Sequence, residues 1–158
     1  MSGARASDAD YSASGRRVAI IAARFNDAIV SQLLGAAVAT WSERGGEEQS
    51  LLIARVPGAF ELPVVARRLA RSGRFEAIVA LGCVIRGDTP HFEYVAGECA
   101  RGLQQTACDT GVPIAFGVLT VENMEQALAR AGANAANKGA EAMTSALEMA
   151  HLMSRLPG

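Results

Sequence analysis

A chain of 158 residues, half of them hydrophobic and a fifth charged, has the size and composition of one ordinary globular domain. Fifteen basic and sixteen acidic residues leave a net charge of −1, so the chain lacks the positive field that nucleic acids and anionic lipids require. The longest apolar run is far shorter than the ~20 residues of a membrane-spanning helix. We therefore expect neither nucleic acid nor a membrane as a partner.

The N-terminal segment, residues 1–15, is small and polar, and we expect it to be disordered ahead of a single domain at 16–158. It has no apolar centre, so it does not have the pattern of a signal or transit peptide. The cysteines are odd in number and lack the spacing of a metal site; they are Cys83, Cys99 and Cys108. These features predict a cytoplasmic protein without disulfides or a bound metal.

The first half of the domain alternates strand-like and helix-like stretches. The continuous apolar run at 18–23 (VAIIAA) predicts a strand that is covered on both faces. Apolar residues at helical spacing predict a helix over 27–43. A second strand is expected at 50–56, followed by a short helix over 61–71 that tolerates Pro63 in its first turn.

The third strand is expected within residues 75–85. Thr89 followed by Pro90 then predicts the N-cap and the first position of a helix that runs to about residue 109. Residues 112–119 form the fourth predicted strand.

Two helices are expected to close the chain. Asn123 with Gln126 resembles a capping box, which predicts a fourth helix to about residue 130. After a break at 132–139, the last helix extends to about residue 154.

The resulting order of strands and helices, βαβαβαβαα, favours a three-layer α/β/α fold with a four-stranded parallel sheet. No GxGxxG follows the first strand, so we predict the flavodoxin-like strand order 2-1-3-4 instead of a Rossmann order. Ligands of such sheets bind beyond the carboxyl ends of the strands. That rule selects residues 25–26, 58–61, 83–91 and, more distantly, 116–117.

The turn from Gly87 to His91 is the first candidate, because a glycine turn that feeds a helix N-terminus suits a phosphate. The helix field is worth only ~0.3–1 kcal/mol when exposed, so a cation is also needed, and either Arg130 or Lys138 can supply it. The carboxylate of Asp88 repels a phosphate, so its N–H is expected to face the ligand. An ordinary strand-to-helix turn is the alternative.

Other candidates carry their own alternatives. His91 suits proton transfer near neutral pH, although a lone histidine is more often structural, which is how we interpret His151. Glu61 can bind the hydroxyls of a polyol or simply cap a helix. Phe25 and Phe116 can stack on a flat ligand or pack in the core.

Together these residues resemble the signature of the 6,7-dimethyl-8-ribityllumazine synthase family. The strings that match are AARFN (22–26), VPGAFELP (56–63), LGCVIRGDTPHFEYV (81–95), FGVLTVEN (116–123) and RAGANAANKGAEAM (130–143). They follow the family's order from Val18 to about Met153. The break AGANAANKG differs in composition from the lysine-containing form that is usual in the family. Lys138 lies within this break, so its match to the family is the weakest of the set.

The resemblance implies a role for each site residue. The residues implied for the pyrimidine and ribityl groups are Phe25, Ala59, Phe60, Glu61, Cys83, Val84, Ile85 and Phe116. Those implied for the phosphate are Asp88, Thr89, Arg130 and Lys138. His91 is implied as the residue that transfers protons. Three of these, Phe116, Arg130 and Lys138, resemble residues that a neighbouring subunit contributes.

The activity implied is that of a transferase in riboflavin biosynthesis, which joins a ribitylamino-uracil to a dihydroxybutanone phosphate without metal or cofactor. Members of the family form pentamers, and some pack twelve pentamers into an icosahedral shell. The resemblance thus implies a homo-oligomer with active sites at subunit interfaces, and riboflavin synthase as a candidate partner. A non-catalytic flavin- or lumazine-binding relative and a chiefly structural shell protein are the alternatives.

Overall fold

The computed structural model describes residues 9–158, over which four strands alternate with five helices. The strands are β1 (Val18–Ala23), β2 (Leu51–Val56), β3 (Ala77–Ile85) and β4 (Ile114–Val121). The helices are α1 (Asp27–Glu43), α2 (Leu62–Arg71), α3 (His91–Thr110), α4 (Met124–Ala131) and α5 (Lys138–Arg155). Short 3-10 turns at Glu48–Ser50 and Ala59–Glu61 precede β2 and α2. None of the helices in this range is long and apolar enough to cross a membrane.

The four strands form one parallel sheet in the order β2-β1-β3-β4, which confirms the predicted flavodoxin-like order. All residues of β1 are buried, because neighbouring strands pair with it on both sides and helices cover both faces. The carboxyl ends of β1 and β3 lie side by side where the strand order reverses. Ligands of open α/β sheets bind at such a point.

The sheet separates two apolar clusters, as the predicted three-layer arrangement requires. Val18, Ile20 and Ala22 of β1 pack in a cluster with residues of α1, α4 and α5. The alternate residues Ala19 and Ile21 pack in the opposite cluster with residues of α2 and α3. The alternation follows from the period of two in a strand, which turns successive side chains to opposite faces.

The starts of two helices differ from the prediction. Thr89 is not the N-cap of α3: Pro90 occupies that position with φ −70° and ψ 4°, and no side chain caps the helix. α5 begins at Lys138, inside the predicted break, because Asn137 caps it by accepting hydrogen bonds from the N–H groups of Gly139 and Ala140.

Two other boundaries follow from local chemistry. The predicted cap at Asn123 is confirmed, since its Oδ1 accepts from the N–H of Gln126 at 2.9 Å. β4 begins at Ile114 and not at Val112, because the intervening Pro113 has no N–H to contribute to the sheet.

Part of the segment predicted to be disordered contacts the domain. Residues 1–8 lie outside the described range. Ala13 is buried, and its N–H donates to the carbonyl oxygen of Arg44 at 2.9 Å. The guanidinium of Arg44 also lies 5.4 Å from the ring centroid of Tyr11. These contacts hold residues 11–13 against the end of α1.

Candidate active site

A cleft of about 730 Å³ lies beyond the carboxyl ends of β1, β2 and β3, at the position that the strand order predicts for a ligand. It is bounded by the turn after β1, the 3-10 turn after β2, the end of β3 and the first turns of α3. The lining residues are Phe25, Pro57, Gly58, Ala59, Phe60, Glu61, Cys83, Val84, Ile85, Gly87, Thr89, His91, Phe92, Tyr94 and Val95. We call this concavity the main cleft.

Phe25 is held at the main cleft by main-chain contacts and a left-handed turn. Its N–H donates to the carbonyl oxygen of Pro57 at 2.9 Å. The next residue, Asn26, has φ 61° and ψ 45°, and its Nδ2 donates to the carbonyl oxygen of Cys83 at 2.9 Å. The turn leaves Phe25 70% exposed, so core packing does not explain this aromatic side chain. An exposed ring beside a cleft can stack on a flat ligand.

Arg55 of β2 fastens the same turn from the other side. Its Nη2 donates to Asp27 Oδ1 at 2.6 Å and to the carbonyl oxygen of Ala23 at 3.3 Å. The hydrogen bond from Arg55 lowers the pKa of Asp27 below its usual value. Sequence reasoning did not select Arg55, because its partners belong to a different strand and helix.

Glu61 ends the 3-10 turn and lines the main cleft. It occupies the N-cap position of α2, yet its side chain makes no capping hydrogen bond, so the helix-capping alternative is wrong. Its main-chain N–H donates to the carbonyl oxygen of Gly58 at 3.2 Å, which stabilises the turn. The carboxylate is therefore available to accept hydrogen bonds from the hydroxyl groups of a polyol.

The end of β3 forms the floor of the main cleft. Cys83 is 3% exposed, and burial raises the pKa of its thiol to about 11. A buried thiol with a raised pKa is a poor nucleophile at neutral pH. Cys83, Val84 and Ile85 thus offer apolar surface and main-chain groups to a ligand.

The start of α3 forms the opposite wall. No side chain caps this helix. The N–H of Glu93 donates to the carbonyl oxygen of Pro90 at 3.0 Å, so the N–H groups of His91 and Phe92 are the ones that an acceptor in the main cleft can use. Thr89 and His91 line the cleft, whereas Asp88 is exposed on the loop and is not part of the lining. Sequence reasoning missed Tyr94, which lies one turn after His91 on the same side of the helix.

The remaining predicted residues lie elsewhere on the chain. Phe116, Arg130 and Lys138 line a separate hollow of about 260 Å³, which we call the β4 hollow because residues of β4 form its wall. Phe116 is 48% exposed there, so core packing does not explain this ring either. The structure therefore does not bring these three residues into the main cleft of the same chain.

The two cations of the β4 hollow differ in their contacts. Lys138 Nζ lies 2.9 Å from Glu141 Oε2, one helical turn further along α5. Arg130 Nη1 donates to the carbonyl oxygen of Gln126 in its own helix, and Arg130 makes no ion pair within residues 9–158. Arg130 is the cation that keeps its charge available for an anion.

Comparisons with known proteins agree with the sequence resemblance. The family model for 6,7-dimethyl-8-ribityllumazine synthase matches residues 15–154. The chain is 50% identical over 149 residues to a 6,7-dimethyl-8-ribityllumazine synthase of Nitratidesulfovibrio vulgaris strain Miyazaki F, covering 94% of this chain and 96% of that protein. Proteins of the same name from strains DP4 and Hildenborough are 50% identical over 144 residues, covering 91% of this chain and 92% of each. The chain belongs to the 6,7-dimethyl-8-ribityllumazine synthase family.

Proposed function

We propose that this chain is the transferase that condenses 5-amino-6-(D-ribitylamino)uracil with 3,4-dihydroxy-2-butanone 4-phosphate, giving 6,7-dimethyl-8-ribityllumazine, phosphate and water. This is the penultimate step of riboflavin biosynthesis. The observation that carries the proposal is that one cleft gathers an aromatic face, a carboxylate without a capping role, an uncapped helix start and a histidine. Membership of the family over nearly the whole chain supports it.

The uracil substrate is assigned to the inner part of the main cleft. Phe25 stacks on the pyrimidine ring, and main-chain groups of Cys83–Ile85 bind its edge. The segment Ala59–Glu61 binds the ribityl chain, with the Glu61 carboxylate accepting from its hydroxyls. The exposure of Phe25 and the lack of a capping bond at Glu61 support these roles.

The phosphate substrate is assigned to the loop before α3. The N–H groups near Asp88 and Thr89 and the uncapped start of α3 bind its phosphate. The amine of the uracil condenses with the ketone to form an imine and releases one water. Elimination of phosphate then generates a second carbonyl, and attack of the ribitylamino nitrogen on it closes the ring with loss of a second water, so the reaction needs neither metal nor cofactor. His91, which lines the main cleft, transfers the protons.

We assign Phe116, Arg130 and Lys138 to the active site of a neighbouring subunit. In support, they line a concavity apart from the main cleft, and within residues 9–158 no lysine or arginine lines the main cleft. A phosphate bound at an exposed helix start gains only ~0.3–1 kcal/mol from the helix field, so a cation from elsewhere is required. A site shared between subunits requires a homo-oligomer, and we propose the cytoplasmic homopentamer that the family resemblance implies. A shell of twelve such pentamers and riboflavin synthase as a partner are implied by that resemblance alone.

The activity is tested by mixing both substrates with the purified protein and following lumazine fluorescence. Formation faster than in matched samples without protein supports the enzyme. A rate equal to that spontaneous background contradicts it and favours the flavin-binding or structural alternatives. Omission of either substrate is the control for fluorescence from bound contaminants.

The shared site is tested by dissociating and reassembling His91→Ala and Arg130→Ala chains together. A site between subunits combines His91 of one chain with Arg130 of the next, so some sites in mixed assemblies contain both native residues. We expect activity above the mean of the two separate variants. Activity equal to that mean contradicts a shared site. Native mass measurement of the same samples reports whether the assembly is a pentamer or a shell.

A further inference from the structure

Arg86 lies between the end of β3 and the loop that leads into α3, and its guanidinium contacts side chains from two other elements. It forms an ion pair with Glu93 in the first turn of α3. Its Nε lies 2.8 Å from an oxygen of Glu122, the residue that follows β4. Its charged group also lies 4.4 Å from the ring centroid of Phe92, within the range of a cation–π contact.

The main chain of Arg86 adds a fourth connection. Its N–H donates to the carbonyl oxygen of Val121 at 2.8 Å. Val121 lines the β4 hollow, and Phe92 lines the main cleft. Arg86 therefore connects the wall of the main cleft to the wall of the β4 hollow. It precedes the loop from Gly87 to His91 and also contacts Phe92 and Glu93, which follow that loop.

The guanidinium of Arg86 is paired with both carboxylates of this cluster. The hydrogen bond with Glu93 raises the pKa of Arg86, and the same contact lowers the pKa of Glu93. One guanidinium faces two carboxylates, so the cluster carries a net negative charge. Arg86 is also missing from the lining of the main cleft. Both facts indicate that Arg86 is not the cation that binds a phosphate.

We propose that Arg86 is a positioning residue, which clamps the start of α3 to the end of β4 and so holds the intervening loop in the shape that binds phosphate. The inference rests on the proposed function, and it concerns the same site. Arg86 acts through Glu93, Glu122 and Phe92 and does not touch the substrate.

The first test removes the charge of Arg86 and compares the kinetic effect with that of removing the charge from an ion pair elsewhere on α3. Arg86→Gln removes the charge, and we expect the KM for the phosphate substrate to rise about tenfold while the KM for the uracil changes little. Arg101→Gln is the matched control, because Arg101 pairs with Glu98 at 2.6 Å on α3 without joining another element. Equal kinetics for the two variants would overturn the proposal.

The second test separates positioning from direct phosphate binding. In the double variant Glu93→Gln, Glu122→Gln, the guanidinium of Arg86 loses both carboxylate partners. If Arg86 positions the loop, the KM for the phosphate substrate rises as it does in Arg86→Gln. If Arg86 binds phosphate directly, release of its charge lowers that KM or leaves it unchanged. The latter result would overturn the proposal, even if Arg86→Gln failed to fold.

A substrate-free measurement keeps the inference independent of the proposed activity. Amide hydrogen exchange is followed for the segment 86–95 in wild type, Arg86→Gln, the double variant and Arg101→Gln. The hydrogen-bonded amides of this segment include Arg86, which donates to Val121, and Glu93, which donates to Pro90. We expect faster exchange in this segment for Arg86→Gln and for the double variant, because each breaks the clamp. Arg101→Gln should exchange as the wild type does. Unchanged exchange overturns the positioning role. If the wild type makes no lumazine while the variants still show this exchange pattern, the proposed function is refuted and the positioning role of Arg86 is not.

Discussion

Asn26 Nδ2 donates a hydrogen bond to the carbonyl oxygen of Cys83 at 2.9 Å and thereby joins the turn after β1 to the end of β3. Asn26 has φ 61°, a left-handed conformation that asparagine tolerates better than most residues other than glycine. One side chain thus provides both the turn and the connection across neighbouring strands. Phe25 lies immediately before it, so the bond also sets where that ring enters the main cleft.

Replacing Asn26 separates these two roles. Asn26→Gly loses the hydrogen bond but keeps the left-handed turn, and we expect it to lower the free energy of unfolding by about 1 kcal/mol. Asn26→Ala loses both, and we expect a loss of about 2–3 kcal/mol. Urea unfolding at fixed protein concentration measures both values. Equal losses in the two variants would show that the left-handed backbone contributes nothing.

His91→Ala is expected to slow the reaction without abolishing it. General acid–base help is typically worth about 10²–10⁴-fold in rate, whereas holding two reactants in register can supply ~7–11 kcal/mol. We therefore expect kcat to fall roughly a hundredfold, measured by lumazine fluorescence. His151→Ala is the control, because His151 lies on α5 beside Asp10. Complete loss of product with both substrates still bound would contradict this division of roles.

Arg130→Ala is expected to raise the KM for the phosphate substrate about tenfold, because it removes the cation that makes no ion pair within the described residues. Lys138→Ala is expected to have a smaller effect, since Lys138 already faces Glu141. Steady-state kinetics with the phosphate substrate varied measure both. Arg155→Ala, in the last turn of α5, is the control. An unchanged KM would remove Arg130 from the site.

Replacing Asn137 tests how much its hydrogen bonds contribute to the free energy of unfolding. Its side chain is buried, donates to the carbonyl oxygens of Ala131 and Gly132, and accepts from the first N–H groups of α5. Asn137→Ala leaves these buried groups without partners, so we expect the free energy of unfolding to fall by about 2–4 kcal/mol. Asn134→Ala, an exposed position in the same connection, should cost less than about 1 kcal/mol. Similar losses at both positions would contradict the assignment.

The thiols should differ in reactivity. Burial raises the pKa of Cys83 to about 11 and that of Cys99 to about 12, while Cys108 is exposed. We expect iodoacetamide at pH 8 to modify Cys108 first, as peptide mass analysis would show. All three should react in denaturant. Modification of Cys83 in the native protein ahead of Cys108 would mean that the floor of the main cleft opens to solvent.

The sequence was informative wherever one local pattern decided the structure. The uninterrupted run VAIIAA predicted a strand buried on both faces, and β1 has that burial. Asn123 was recognised as a cap because its partner is three residues away. Thr89 was predicted as a cap from its position before Pro90, and that prediction was wrong because Pro90 itself occupies the N-cap position.

The candidate site was less accessible to sequence reasoning, because its geometry depends on contacts between distant residues. The position after β1 selected Phe25, but its exposure results from Asn26 and Cys83, which are far apart in the chain. No local pattern linked Arg86 to Glu122. The division between the main cleft and the β4 hollow likewise depends on the packing of whole helices against the sheet.

The cap at Asn137 delivers α5 to an unusually close approach with α1. A Cβ atom on the next helical glycine, Gly139, would lie 2.0 Å from the carbonyl oxygen of Leu33, so only a residue without a side chain fits there. Lys138 of the β4 hollow is its immediate neighbour. Alanine at position 139 would therefore push α5 away from α1 and shift Lys138 at the β4 hollow, although no residue that lines either concavity had changed.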